Sequence, residues 1–155
     1  MTRLVRISQP AMRISGLRSP HDKVNGLAYF GRMLDKIRLH AAGSLPADYT
    51  GNLGEGFDGM CVQFLKVSYP EVVEQTKKEP SDEAVLEWCF SKGSRPTEKE
   101  IHIWNEFMRK RGWNDAASER LKQRKAEGGF ANRDDIQTFF DFIDADEERP
   151  VRPQP

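Results

Sequence analysis

The chain has 155 residues, 37% hydrophobic and 31% charged, with 24 Lys and Arg against 24 Asp and Glu and so no formal net charge at pH 7. This length suits one domain that buries roughly two thirds of the surface exposed by its unfolded chain, and the high charged fraction suits a thin helical body with solvated faces. Zero net charge gives no overall attraction to nucleic acid or an anionic membrane, and no run approaches the eighteen or so apolar residues that would span a bilayer.

Residues 1–18 carry Arg3, Arg6, Arg13 and Arg18 with no acid, and contain Pro10 and Gly16. They read as a mobile basic arm ahead of a single helical domain over residues 19–146. An Arg-bearing, acid-free start also resembles an organelle presequence, but such segments are richer in Ser and amphipathic. Leu27, Phe30, Leu34, Ile37 and Ala41 recur at three and four residues, which predicts a helix buried on one side and stopped by Gly43 and Pro46.

After the glycine-rich stretch considered below, Tyr69 or Pro70 opens a short helix through Val72, Val73 and Thr76, closed before Pro80. Ser81 reads as the cap of a helix carrying Val85, Leu86, Cys89 and Phe90, with Asp82 and Glu83 in the turn where the dipole favours acids and Gly93 at its end. Thr97 and Glu100 have capping-box spacing, so a helix should begin there and bury Ile101, Trp104 and Met108, with Ile103 and Phe107 widening its apolar face as far as Gly112.

Asn114 or Asp115 is then expected to cap a polar helix through Leu121 and Ala126, and Asp134 or its neighbours to start a last one with Ile136, Phe139, Phe140 and Ile143. Asp141, Asp144, Asp146, Glu147 and Glu148 precede a proline-containing end, so residues 147–155 read as a disordered tail. No strand pair, internal repeat or long heptad run stands out. The fold class is therefore all-α, an orthogonal array of about five to seven helices with a core on Trp88, Trp104, Phe107, Phe139 and Phe140, and with disordered N- and C-terminal tails.

The least ordinary stretch is residues 51–59, in which Gly51, Gly54, Gly56 and Gly59 accompany Asn52 and Asp58. Glycines this dense permit positive dihedrals and close backbone approach to a ligand, and a helix starting at Asp58 would offer free amides to a phosphate or carboxylate. The pattern matches neither the phosphate-loop lysine signature nor the dinucleotide fingerprint. The plainer reading is a tight turn with Asp58 as an N-cap. Arg32, Lys36 and His40 precede it at helical spacing and could form a cationic strip beside the glycines, with His40 and Asp58 as candidate acid–base groups; a solvated helix face is the bland account.

Cys61 and Cys89 each lie among apolar neighbours and read as reduced core thiols. They and the three histidines show no metal-ligand spacing, and no cofactor is indicated. Without a signal peptide or an apolar span, the expected location is the cytoplasm, with no membrane partner. Between Arg109 and Lys125, basic residues surround Trp113 in a way that can grip nucleic acid. Compensation by the acidic last helix is the plainer account, so nucleic acid is disfavoured as a partner.

Several strings together resemble one bacterial family: LRSPHDKVNGLAYFGRMLDKIRLHAAGSLP, NLGEGFDGMCVQFL, DEAVLEWCF, WNEFMRKRGWNDAASERLKQRKAEGG and RDDIQTFFDFIDADEER. The family is catalogued as domain of unknown function number five thousand and sixty-nine. The resemblance runs over about Leu17 to Arg149 and implies a bacterial or bacterial-like protein, and it brings no activity, cofactor or catalytic residue with it. Two functions follow from the residues. One is a small-molecule protein, binder or enzyme, with an anionic ligand held by Gly51, Asn52, Gly54, Gly56, Asp58, Gly59, Arg32 and Lys36; the other is a non-catalytic protein–protein interaction or regulatory module.

Overall fold

A computed structural model of the chain describes residues 14–154. Residues 1–13, most of the expected basic arm, lie outside the described residues. The described chain is mostly helical and divides into two compact units, Gly16–Asn105 and a second containing Glu106–Pro155. Among the described residues there are eight helical segments, one of only four residues, and no helix is long and apolar enough to cross a membrane.

The first unit opens on two short antiparallel strands, β1 (Lys23–Val24) and β2 (Leu27–Ala28), with Lys23 opposite Ala28 and Val24 opposite Leu27. Between them Asn25 and Gly26 take φ of 46° and 85°, the two left-handed positions that Asn-Gly supplies cheaply in a two-residue hairpin. This corrects the expectation of no strand pair, and it moves Leu27 from a helix onto a strand. Strands of two residues are too short for alternation to reveal them, although the Asn-Gly signal was present.

Helix α1 (Phe30–Ala41) follows, burying Phe30, Met33, Leu34 and Ile37 and, less ordinarily, Arg32, Asp35 and Lys36. It closes as foreseen at Gly43, whose φ is 73°, with Ser44 N–H donating to Leu39 O at 2.8 Å in a Schellman-type ending. A single turn, α2 (Ala47–Thr50), was not anticipated. Helices α3 (Gly56–Leu65), α4 (Tyr69–Lys78) and α5 (Asp82–Lys92) complete the packing, with α1 against α4 and α4 against α3 and α5.

Local capping decides the starts of α4 and α5. Ser68 and Ser81 each accept an amide hydrogen bond three residues ahead, from Glu71 and Ala84. Thr97 and Glu100 form the reciprocal capping box at 2.8 and 3.1 Å ahead of α6 (Glu98–Lys110). Trp104 and Asn105 on α6 then clamp the hairpin. The indole donates to Ala28 O at 3.0 Å, and the Asn105 amide accepts from Ala28 N–H at 2.9 Å and donates to Gly26 O at 2.8 Å. Trp104 also stacks on Phe64, ring centroids 4.8 Å apart.

Arg18, placed by sequence at the end of a mobile arm, is anchored. Its guanidinium donates to Asp35 at 2.8 and 2.9 Å and to Gly31 O, and pairs with Asp82 at 2.7 Å, while Arg38 approaches the other Asp82 oxygen. Leu17 beside it is buried. One network thus joins the chain before β1 to α1 and to the first turn of α5.

In the second unit, α7 (Ser118–Glu127) and α8 (Phe139–Asp146) surround a small core of Leu121, Ile136 and Phe142, with Phe130, Phe139, Ala145 and Val151 packed on it. Asp115 does not cap α7; its carboxylate accepts the amides of Gly112 and Ala117 and shapes the turn before it. The last helix begins later than expected, at a Thr138 cap that accepts Asp141 N–H at 3.1 Å, so Ile136 contributes to the core from the loop. Phe107 is 45% exposed and Ile103 57%, so neither belongs to the core assigned to them. Residues 151–154 have no regular structure, but at the start of the expected tail Glu147 is buried and Arg149 pairs with Asp144 and Glu147.

Candidate functional site

The glycine-rich stretch is part turn and part helix. Gly51 to Gly54 form turns and α3 begins at Gly56, two residues ahead of Asp58. Glu55, the N-cap, supplies no side-chain hydrogen bond, and Asp58 occupies the first turn where the helix dipole favours a carboxylate. Gly54 and Gly56 have φ of 77° and 53°, conformations that glycine adopts without penalty. At Gly54 a Cβ would also run into the Tyr69 ring. This reversal returns the Asp58 carboxylate onto Gly54 N–H at 3.1 Å.

Asp58 is fully buried. Its Oδ1 accepts the phenol of Tyr29 at 2.6 Å and lies 2.9 Å from Lys36 Nζ, and Lys36 Nζ in turn donates to the Tyr29 oxygen at 3.1 Å. Lys36 is nearly as enclosed, its side chain 7% exposed. Tyr29 heads α1 with φ 74°, a left-handed setting that costs an ordinary residue about 1–2 kcal/mol. That strained residue lies beside a desolvated ion pair.

The electrostatics of the cluster are one-sided. Burial, and then the Asp58 charge, push the Tyr29 phenol well above its ordinary range, so it stays a protonated donor. Cys61, one turn beyond Asp58, is raised by the same two influences in the same order and remains a thiol. Cys89 is pushed up to about 12 by burial. Neither thiol is set up as a nucleophile, and both are free. Tyr69, half-buried over Gly54, is likewise raised, by burial and then by Asp58.

Of the residues singled out in the sequence, Lys36 and Gly54 each meet Asp58 directly. Arg32 is buried on the same helix and donates to Arg18 O at 2.9 Å; its charge opposes the rise at Tyr29. Gly51, Asn52 and Gly56 are exposed at the rim, and Gly59 sits inside α3, its amide donating to Glu55 O at 3.3 Å. His40 does not join them, being exposed in the last turn of α1. Helical spacing put Arg32, Lys36 and His40 on one face, but only the first two lie along the packed part of the helix.

Tyr29 escaped the sequence reading altogether. A tyrosine between Ala28 and Phe30 looks like one more core aromatic, and nothing local marks its dihedral. A cavity of about 240 Å³ opens elsewhere, in the second unit, lined by residues of α7 with Ala131 and Ile136. Among the described residues no group of three or more His, Cys, Asp and Glu side chains is gathered as metal ligands.

The family model described as "Domain of unknown function (DUF5069)" matches residues 14–149. The chain belongs to this family. No curated protein matches the DUF5069 chain. The matched span contains Tyr29, Lys36 and Asp58 as well as Leu121, Ile136 and Phe142 of the second unit's core, so the cluster lies within the family domain itself.

Proposed function

We propose that this DUF5069 protein binds, or acts on, a small anionic ligand bearing a phosphate or carboxylate, where the segment 51–59 meets α1. The observation carrying this reading is the convergence of the Tyr29 hydroxyl, the Lys36 ammonium and the Gly54 amide on one carboxylate, that of Asp58. These are the donor types that recognise a carboxylate or phosphate. Asp58 and Lys36 pair at 2.9 Å inside the unit. An incoming anion is received at the rim, where the first amides of α3 have no side-chain cap and the helix N-terminus favours negative charge. Gly51, Asn52 and Gly56 flank this entrance, Arg32 and the Lys36–Asp58 pair lie behind it, and Asp58 is the acid–base candidate. The free thiols are in keeping with a cytoplasmic setting.

Thermal denaturation with inorganic phosphate, acetate and succinate tests this. Ligands that prefer the native state raise its stability by mass action, about 2.7 kcal/mol at a hundredfold excess over Kd. The expected result is a rise in Tm with one anion class that disappears in the paired variant Lys36→Met with Asp58→Asn, which removes both charges together. An equal rise in that variant would put the ligand elsewhere and sink the reading.

One observation favours a second reading, a non-catalytic interaction or regulatory module. In the second unit Phe107 and Trp113 are 45% and 56% exposed, with the Arg111 guanidinium 5.6 Å from the Phe107 ring centroid. Exposed aromatics with arginine are typical of protein contact surfaces.

A further inference from the structure

The cavity of the second unit has a composition of its own. Leu121 and Ile136, both buried, form an apolar floor, and Ala126, Ala131, Ser118, Lys122 and Lys125 stand around it. At about 240 Å³ it is smaller than the pockets that take drug-sized molecules and has room for roughly eight to ten non-hydrogen atoms.

The two lysines differ in how they are held. Lys125 is fixed by two backbone carbonyls, donating to Arg133 O at 2.8 Å and Ile136 O at 2.9 Å. These use two of its three donors; its charge is felt by the nearby Asp135, which is paired with Arg133. Among the described residues Lys122 has no ion pair at all. Ser118 Oγ accepts Asp115 N–H at 2.8 Å, which leaves its proton for another acceptor. The cavity therefore joins the positive charge of Lys122, the third Lys125 donor and a hydroxyl donor to an apolar floor.

We infer that this cavity is a binding site for a small monocarboxylate with a short apolar body, the carboxylate held by Lys122, Lys125 and Ser118 and the body lying on Leu121 and Ile136. A phosphate or a short dicarboxylate would leave the floor unused, and a neutral apolar molecule would leave the lysines unused. The site is independent of the cluster at Asp58, and either can fail without the other.

Titration of the full chain with octanoate, followed by heteronuclear NMR, is the test, with 1-octanol as the uncharged control. The expected result is saturable shifts at Leu121, Ala126, Ala131 and Ile136 with octanoate, and at least tenfold weaker binding in Lys122→Met, a substitution at an exposed side chain that leaves the core intact. No saturable shift at these residues, equal affinity for 1-octanol, or unchanged octanoate affinity in Lys122→Met would each overturn the inference. Retention of binding in the paired Lys36→Met and Asp58→Asn variant is expected, and its loss there would relocate the site and overturn it as well.

Discussion

Lys36 and Asp58 are each a residue that on its own would be expensive to enclose. Together with Tyr29 they are tolerable, because every contact at Asp58 is a charge-assisted or directed hydrogen bond. Lys36→Met alone leaves the buried carboxylate with a phenol and an amide, and is expected to cost about 3–5 kcal/mol in chemical denaturation. Adding Asp58→Asn should recover a substantial part of that loss, and a paired variant no more stable than the single one would show that the two charges are not coupled. A second residue-scale expectation concerns Lys66, the exposed C-cap of α3 with φ 61°. Lys66→Gly relieves the left-handed strain and should raise stability by up to about 1 kcal/mol, read as a higher denaturation midpoint at unchanged slope.

Elements in this chain are delimited by short-range chemistry, and there sequence reading served well. The Ser81 cap and the Thr97–Glu100 box stand where the spacing put them, because a cap is a hydrogen bond between residues two or three apart and needs nothing from the rest of the fold. Thr97→Ala should therefore cost about 1 kcal/mol and speed amide exchange in the first turn of α6 while sparing its later turns. Where a helix starts away from its expected cap, competing local bonds win. Asp115 serves the turn at Gly112 instead of a helix, and Thr138, not Asp134, captures the start of α8. The Asn25–Gly26 turn is a local signal, but the clamp on the hairpin comes from Asn105 and Trp104, nearly eighty residues on, which no window of sequence could supply.

Across the whole chain, zero net charge conceals a strongly structured charge distribution. The Arg18–Asp35–Asp82–Arg38 network ties three segments of the first unit, and it carries a pH dependence. Burial works to raise the Asp82 carboxyl, but hydrogen bonds from Arg38 and Arg18 prevail and hold it below its usual 3.8. A depressed folded-state pKa stabilises the fold above the unfolded-state value, and that stability is lost as pH falls through the folded-state value. Unfolding free energy should accordingly fall with acid below about pH 4, and Asp82→Asn, already lacking the network, should show a shallower acid limb. Parallel limbs in the two proteins would exclude Asp82 as the source.

Helical class, the caps at Ser81 and Thr97, the stop at Gly43, the free thiols and the family resemblance could all be read from the residues in order, since each rests on contacts or patterns within a few positions. Which charges became interior was decided by the tertiary structure alone. Lys36 and His40 have the same helical spacing and similar neighbours, yet one meets an aspartate from another helix inside the unit and the other faces water. The reason is that burying a charge requires partners brought from distant segments, as Tyr29 and Asp58 are across 29 positions, whereas a helix and its caps need only the residues beside them.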